Sequence, residues 1–289
     1  MSVPGRRARS GFPLALDRLQ PRSGTGGAPH TPVLRPQSPL AHAAHELARR
    51  APPSGLGLDS AAVRRRMVER LRAGGLQQED VLQALASIER HRFVDTALAT
   101  QAYEDTSLPI GLQQTISKPS VVGHMLALLF DGAHARLHGN LGRVLEIGTG
   151  CGYQAALLLH LSSAVVSIER LQALHDKARA NLDALRGSVR TDLRLVFGDG
   201  RLGHAPRAPY NSIVAAAGGE ALPLAWSEQL AIGGRLVAPV GCGVAGLAGV
   251  AGNRGQRLLI VDRVGEGPAG LVMQHQDAVH FVPLKSGTE

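Results

Sequence analysis

Apolar positions recur every fourth residue at Val63, Met67 and Leu71, the spacing of one buried helical face. Asp59 or Ser60 stands where such a helix would be capped, and Gly74 and Gly75 would stop it. A second run, residues 79–88, sets Val81, Leu82, Leu85 and Ile88 on one face, and residues 90–93 lead out of it. Residues 59–95 therefore predict a small helical cap. Residues 103–120 follow neither the helical nor the strand period and hold Pro109, Gly111 and Pro119. They predict an ordered loop, a kind of segment that often carries function. Pro119 then opens an apolar helix through Val122, Met125, Leu126 and Leu129, ending near Asp131 and Gly132.

From Arg143 onward, short apolar runs alternate with helical patterns: RVLEI, a helix from Tyr153, VVSIE, a helix from Leu171, LRLVF, SIVAA, a helix from Leu222, and RLVAPV. Continuous apolar strands separated by helices predict a parallel sheet covered on both faces. RLLIVDRV and AVHFVPL near the C-terminus are strand-like and are expected to pair antiparallel at the sheet edge. No internal repeat is visible. The fold class is α/β, a Rossmann-like, mostly parallel sheet with an antiparallel edge and a small N-terminal helical cap.

Charge changes this picture only at the N-terminus. The formal charge is +8, but residues 1–58 hold eight arginines against Asp17 and Glu46, leaving a net charge of two for the rest. Nine of the chain's 17 prolines fall in the same stretch, which breaks helical patterns and predicts a disordered basic tail ahead of one domain over residues 59–289. A nucleic-acid partner would rest on that tail alone, so none is expected. Cys151 and Cys242 give neither a disulfide framework nor a metal-ligand cluster, and no run is long and apolar enough to cross a bilayer. The expectation is a soluble, monomeric protein of the reducing cytoplasm, with no metal and no membrane partner.

Candidate chemistry concentrates in VLEIGTGCGY, residues 144–153. The strand ends at Ile147, and Gly148, Thr149, Gly150 and Gly152 turn the chain into the next helix, where glycines permit close approach to a ligand. Tyr153 stands where a dinucleotide turn, G-x-G-x-x-G, needs its third glycine. Glu146, inside the strand, would repel a pyrophosphate but suits the ammonium and sulfonium charges of S-adenosylmethionine. Glu169, about 20 residues on, ends the next strand, where a carboxylate can accept from ribose hydroxyls. In the GDG of the third strand end, Asp199 is placed to accept from an adenine amino group, with Gly200 beside it. All three acids fall at the carboxyl ends of adjacent parallel strands, where open α/β sheets bind ligands. The pattern reads as an S-adenosylmethionine-dependent methyltransferase fold.

Upstream of that turn, LPIG (Leu108–Gly111) is followed by Thr115, Ile116, Ser117 and Pro119. RFVD (residues 92–95), the LEIGTGCGY turn, the GDG, GGRLVAPVG (residues 233–241) and the terminal VHFVPL complete a set. On these motifs residues 60–285 resemble the protein-L-isoaspartate O-methyltransferases. Three departures stand out: Asn211 where the family usually has Asp, Gln113 where bacterial members commonly have Gly, and an unusually small-residue stretch at 242–255.

The resemblance implies methyl transfer to the free α-carboxylate of L-isoaspartyl residues in damaged proteins and peptides, whose ester then cyclises to a succinimide. A carboxylate of ordinary pKa, about 4, is already ionised at neutral pH, so no general base is required. It further implies that Ser117 orients the carboxylate and that Thr115 and Ile116 line the same pocket through their backbone. Ser117 also stands where a helix cap would precede Pro119, and one serine can serve both ends. Two other readings remain open at this point: a methyltransferase of a small molecule or RNA, and a non-catalytic homologue that only holds the cofactor.

Overall fold

The computed structural model describes residues 61–185, 191–241 and 255–289. The basic tail, the capping pair Asp59 and Ser60, and the small-residue stretch 242–254 lie outside the described residues. The four-residue apolar spacing becomes α1 (Ala61–Ala73), which buries Met67 and Leu71. α2 (Glu79–Ser87) buries Val81, Leu82, Ala84 and Leu85, and the 3-10 turns Arg90–Phe93 and Thr96–Gln101 follow. These residues join the same apolar cluster as Leu126, Val144 and Leu157, so the cap is a layer of the main core.

The expected loop contains a hairpin. β1 (Leu108–Gly111) and β2 (Gln114–Ile116) pair antiparallel, with Leu108 opposite Ile116 and Pro109 opposite Thr115. Strands of four and three residues are too short to show a period in sequence. The turn between them uses Leu112 at φ 51° and Gln113 at φ 58°, the double left-handed geometry that tight hairpins demand and that asparagine or glycine normally supplies.

α3 (Pro119–Phe130) begins on its proline, as expected, but its N-cap is Lys118 and the capping position makes no side-chain bond. Asp105 caps it from outside instead, accepting the Ser120 N–H at 2.8 Å. Ser117 is thereby released from the capping role its sequence position allowed. α4 (Ala133–His138) then ends at left-handed Gly139.

Every expected strand of the parallel sheet forms: β3 (Arg143–Ile147), β4 (Ala164–Glu169), β5 (Asp192–Phe197), β6 (Tyr210–Ala215) and β7 (Leu230–Gly241). α5 (Tyr153–Leu161), α6 (Gln172–Asp183) and α7 (Leu224–Gln229) connect them. The seven-stranded order is β5-β4-β3-β6-β7-β8-β9, with β8 (Gln256–Arg263) and β9 (Leu271–Val279) antiparallel. Neighbouring residues go to opposite faces: Val144, Val165 and Leu258 join one apolar cluster, Leu145, Val166 and Leu259 the other.

The sheet edge is antiparallel as expected, but most of its outer strand comes from residues ahead of AVHFVPL. β9 is the edge strand, β8 lies inside it, and only Ala278 and Val279 of AVHFVPL belong to β9. The remainder leaves the sheet and runs beside Gly218, whose N–H donates to the Val282 carbonyl and whose carbonyl accepts from Leu284 N–H, both at 2.8 Å. Alternation in sequence marks extended backbone; which partner it finds is a tertiary matter. Among the described residues no helix is long and apolar enough to cross a membrane.

Candidate active site

The carboxyl end of β3 breaks into left-handed glycines, Gly148 at φ 88°, Gly150 at φ 56° and Gly152 at φ 90°. Gly148 and Thr149 donate their N–H groups to the Ile168 carbonyl at 2.9 and 3.2 Å, tying the turn to the end of β4. Gly148, Thr149 and Gly150 line an open cleft that, counting open solvent, encloses about 890 Å³. Gly152 faces elsewhere: a Cβ there would press on Leu182 and Ala178 of α6, so this glycine serves helix packing.

Glu169 reaches the cleft wall. Its Oε2 accepts the Gly150 N–H at 2.9 Å, and its Oε1 accepts those of Arg170 and Leu171 at 2.9 and 3.0 Å. Glu146 does not reach the wall. It is wholly buried, and its Oε2 accepts the Ser167 hydroxyl at 2.5 Å while that hydroxyl meets Thr149 Oγ1 at 2.6 Å. Burial, opposed by hydrogen bonds from Ser167 and Gln154 and reinforced by the Glu169 charge, pushes the Glu146 carboxyl up to about 8. It is predominantly neutral at pH 7, so the expected charge pairing with a cationic ligand gives way to a strut beneath the turn. Strand alternation pointed this side chain into the sheet's face, away from the ligand edge.

Asp199 is half-buried behind the wall formed by Gly200. Its Oδ1 accepts the Arg201 N–H at 2.9 Å, and its Oδ2 accepts the N–H of Gly287 near the C-terminus at 2.7 Å. Trp226 anchors the Gly200 carbonyl through its indole N–H at 2.8 Å.

The same cleft is lined by Thr115 and Ile116 of the hairpin, Ser117 just after it, and residues 282–285 of the terminal segment. A second cleft, bounded by Lys118, Val121 and Phe281, shares Thr115, Ser117, Ala216 and Val282 with the first. Ser117 thus stands where the two clefts meet. Thr115 is exposed at this junction, whereas Ile116 is buried and packs its side chain into the core.

Sequence reasoning missed the residues that hold this wall in place. Arg90, fully buried, donates from Nη2 to the Ser117 carbonyl and from Nε to the Ala102 carbonyl, each at 2.8 Å. Its guanidinium carbon lies 4.7 Å from the centroid of the Tyr153 ring, within cation–π range. Burial lowers its pKa. Lys177 of α6 donates to the Ile110 carbonyl at 3.1 Å. An arginine beside the apolar end of α2 was the one available sequence signal. Gln154 was also unassigned: it lines the cleft, and although its Nε2 makes no hydrogen bond of ordinary length, its side chain faces the buried Glu146 carboxyl closely enough to lower that group's pKa. The glycine turn beside it leaves backbone room for a ligand.

Asn211, the family departure, lies at the far end of the sheet, where β6 begins. Its Oδ1 accepts the Arg143 N–H at 2.8 Å, a structural bond remote from the clefts. Among the described residues no cluster of His, Cys, Asp or Glu could hold a metal ion.

Residues 62–289 match the family model described as Protein-L-isoaspartate(D-aspartate) O-methyltransferase. A curated protein-L-isoaspartate O-methyltransferase of Methylibium petroleiphilum is 54% identical over 285 residues, covering 99% of each chain. One from Leptothrix cholodnii is 54% identical, covering 99% of this chain and 97% of the relative. A solved protein-L-isoaspartate O-methyltransferase superposes with a TM-score of 0.63 at 24% identity, covering 76% of this chain and 65% of its own. A candidate member from Plasmodium falciparum, solved in complex with S-adenosyl-L-homocysteine, gives 0.62 at 18% identity, covering 77% and 98%.

Proposed function

Because the chain belongs to the protein-L-isoaspartate(D-aspartate) O-methyltransferase family, we propose that its two joined clefts bring S-adenosylmethionine and an isoaspartyl carboxylate together at Ser117. The enzyme repairs damaged proteins and peptides by methylating the free α-carboxylate of L-isoaspartyl residues. The observation that carries the site reading is the position of Ser117, on the wall common to both clefts.

When bound, S-adenosylmethionine supplies a methyl group already activated on a sulfonium. Gly148, Thr149 and Gly150 provide a backbone surface for it, with Gln154 on the same cleft wall. Glu169 has three of about four acceptor positions engaged by backbone and turns the remainder to a ribose hydroxyl. Gly200 closes the adenine end, and Asp199, with two backbone donors on it, keeps acceptor capacity for the amino group. The substrate carboxylate is ionised at neutral pH, so the chain's residues need only align it and keep water out. The Ser117 hydroxyl donates to that carboxylate. Arg90 fixes the Ser117 backbone from behind, and Thr115 offers backbone groups to an extended peptide, a mode tolerant of many flanking sequences. The reading extends to a monomer in the reducing cytoplasm, supported by a cysteine content too small for a disulfide framework.

The test is methyl transfer from labelled cofactor to an isoaspartyl peptide and to its normal aspartyl twin. Transfer is expected to the first alone. Equal transfer to both, or to neither, defeats the assignment. Ser117→Ala is expected to lower kcat/KM for the peptide about 100-fold with cofactor affinity unchanged; native turnover by this variant removes Ser117 from the site.

A further inference from the structure

The wall formed by the terminal segment has a fastening outside both the glycine turn and the hairpin. Within residues 281–284, three hydrogen bonds hold the backbone. Two are main-chain bonds to Gly218, from its N–H to the Val282 carbonyl and from Leu284 N–H to its carbonyl. The third is made by a side chain: Gln256 Oε1 accepts the Phe281 N–H at 2.7 Å. Gln256 opens β8 opposite Val279, so its side chain spans the point at which the chain leaves the sheet. Its amide also lies against Gly218, close enough that a Cβ at that glycine would collide with it. One side chain therefore touches both partners of the main-chain pair. The segment so held contributes Phe281 to the second cleft, Val282 to both, and Pro283 and Leu284 to the first.

Resting on the reading above that the second cleft takes the peptide, we infer that Gln256 is a positioning residue for the substrate. It sets the position of residues 281–284 against Ser117, across the cleft mouth. Its bond is to Phe281, which lines the second cleft and not the first, so its loss weakens peptide recognition more than cofactor binding. Because the bond is accepted by Oε1, a carboxylate can replace the amide, while a thioether of similar length cannot.

The full chain carrying Gln256→Met is expected to raise the peptide KM about tenfold, the scale of one lost hydrogen bond to a loop. kcat should stay within about threefold and cofactor Kd within about twofold. Gln256→Glu should recover most of the KM effect. Gly218→Ala, which displaces the amide from the other side, should reproduce it, and this variant decides the matter if Gln256→Met does not fold. An unchanged KM in Gln256→Met, a parallel rise in cofactor Kd, or a Glu variant as impaired as the Met variant would overturn the inference. If the native chain itself transferred no methyl to the peptide, the family-based activity would fail and not this fastening. Amide exchange at Phe281, Val282 and Leu284 then reads the fastening directly, with faster exchange in Gln256→Met expected and equal exchange refuting it.

Discussion

At the scale of single residues, the three acids that looked equivalent in sequence do three different things. Glu169 faces the cleft with its carboxylate pinned by backbone N–H groups. Asp199 ties the C-terminal Gly287 to the third strand end, and Glu146 is a buried strut under Thr149. The last has a thermodynamic signature. Its folded-state pKa is raised to about 8, so the folded protein binds this proton more tightly than the unfolded chain. Stability is then greatest below the unfolded value, about 4.3, and declines as pH climbs towards 8. Glu146→Gln, which keeps an acceptor for Ser167 and cannot ionise, is expected to flatten that decline and to be more stable than the native chain at pH 8 by a few kcal/mol. Urea unfolding at pH 5.5 and pH 8 measures it; equal slopes with pH in both proteins would show that Glu146 stays ionised. Burial lowers the pKa of His134, His160 and His204, which makes stability rise with pH up to their unfolded value of about 6.5; both proteins share that contribution, so the difference between their slopes isolates Glu146.

At the scale of elements, the hairpin shows how a functional wall is built at some conformational expense. Leu112 and Gln113 both hold positive φ, a region that costs non-glycine residues roughly 1–2 kcal/mol each. The strands nevertheless close because Leu108, Ile110 and Ile116 are buried and Lys177 holds the Ile110 carbonyl. Gln113→Gly removes the strain at one position while adding unfolded-state entropy. A net stabilisation of up to about 1 kcal/mol is expected, read as a rise in urea midpoint at constant slope. A lower midpoint would mean that the Gln113 side chain contributes more than its backbone costs. The hairpin was legible as motif residues and illegible as strands, because its two pairing segments are shorter than any window in which a period can be counted. α3 is the opposite case: its proline start and apolar face predicted its bounds closely, yet its cap comes from Asp105, 15 residues away from Ser120.

At the scale of the whole molecule, the charge that dominates the composition is concentrated along the sequence, with six of the eight net positive charges in residues 1–58. Among the described residues both clefts are lined from Ser107 onward. Deleting residues 1–58 is expected to leave kcat/KM for an isoaspartyl peptide within about twofold of native; a larger loss would give the tail a part in catalysis.

The sequence by itself determined what depends on short spans: the alternation of apolar strands and helices, the glycine turn after Ile147, the proline start of α3 and the motif residues around Ser117. These follow from local periodicity and backbone preference, which a window of a few residues contains. Only the tertiary structure decided what each polar group does, because that depends on burial and on partners distant in the chain. Glu146 meets Ser167 across 21 residues, Ser117 meets Arg90 across 27, Phe281 meets Gln256 across 25, and Asp199 meets Gly287 across 88. A carboxylate's charge, a serine's place between the two clefts and the path of VHFVPL beside them are all set by those meetings, which no local pattern records.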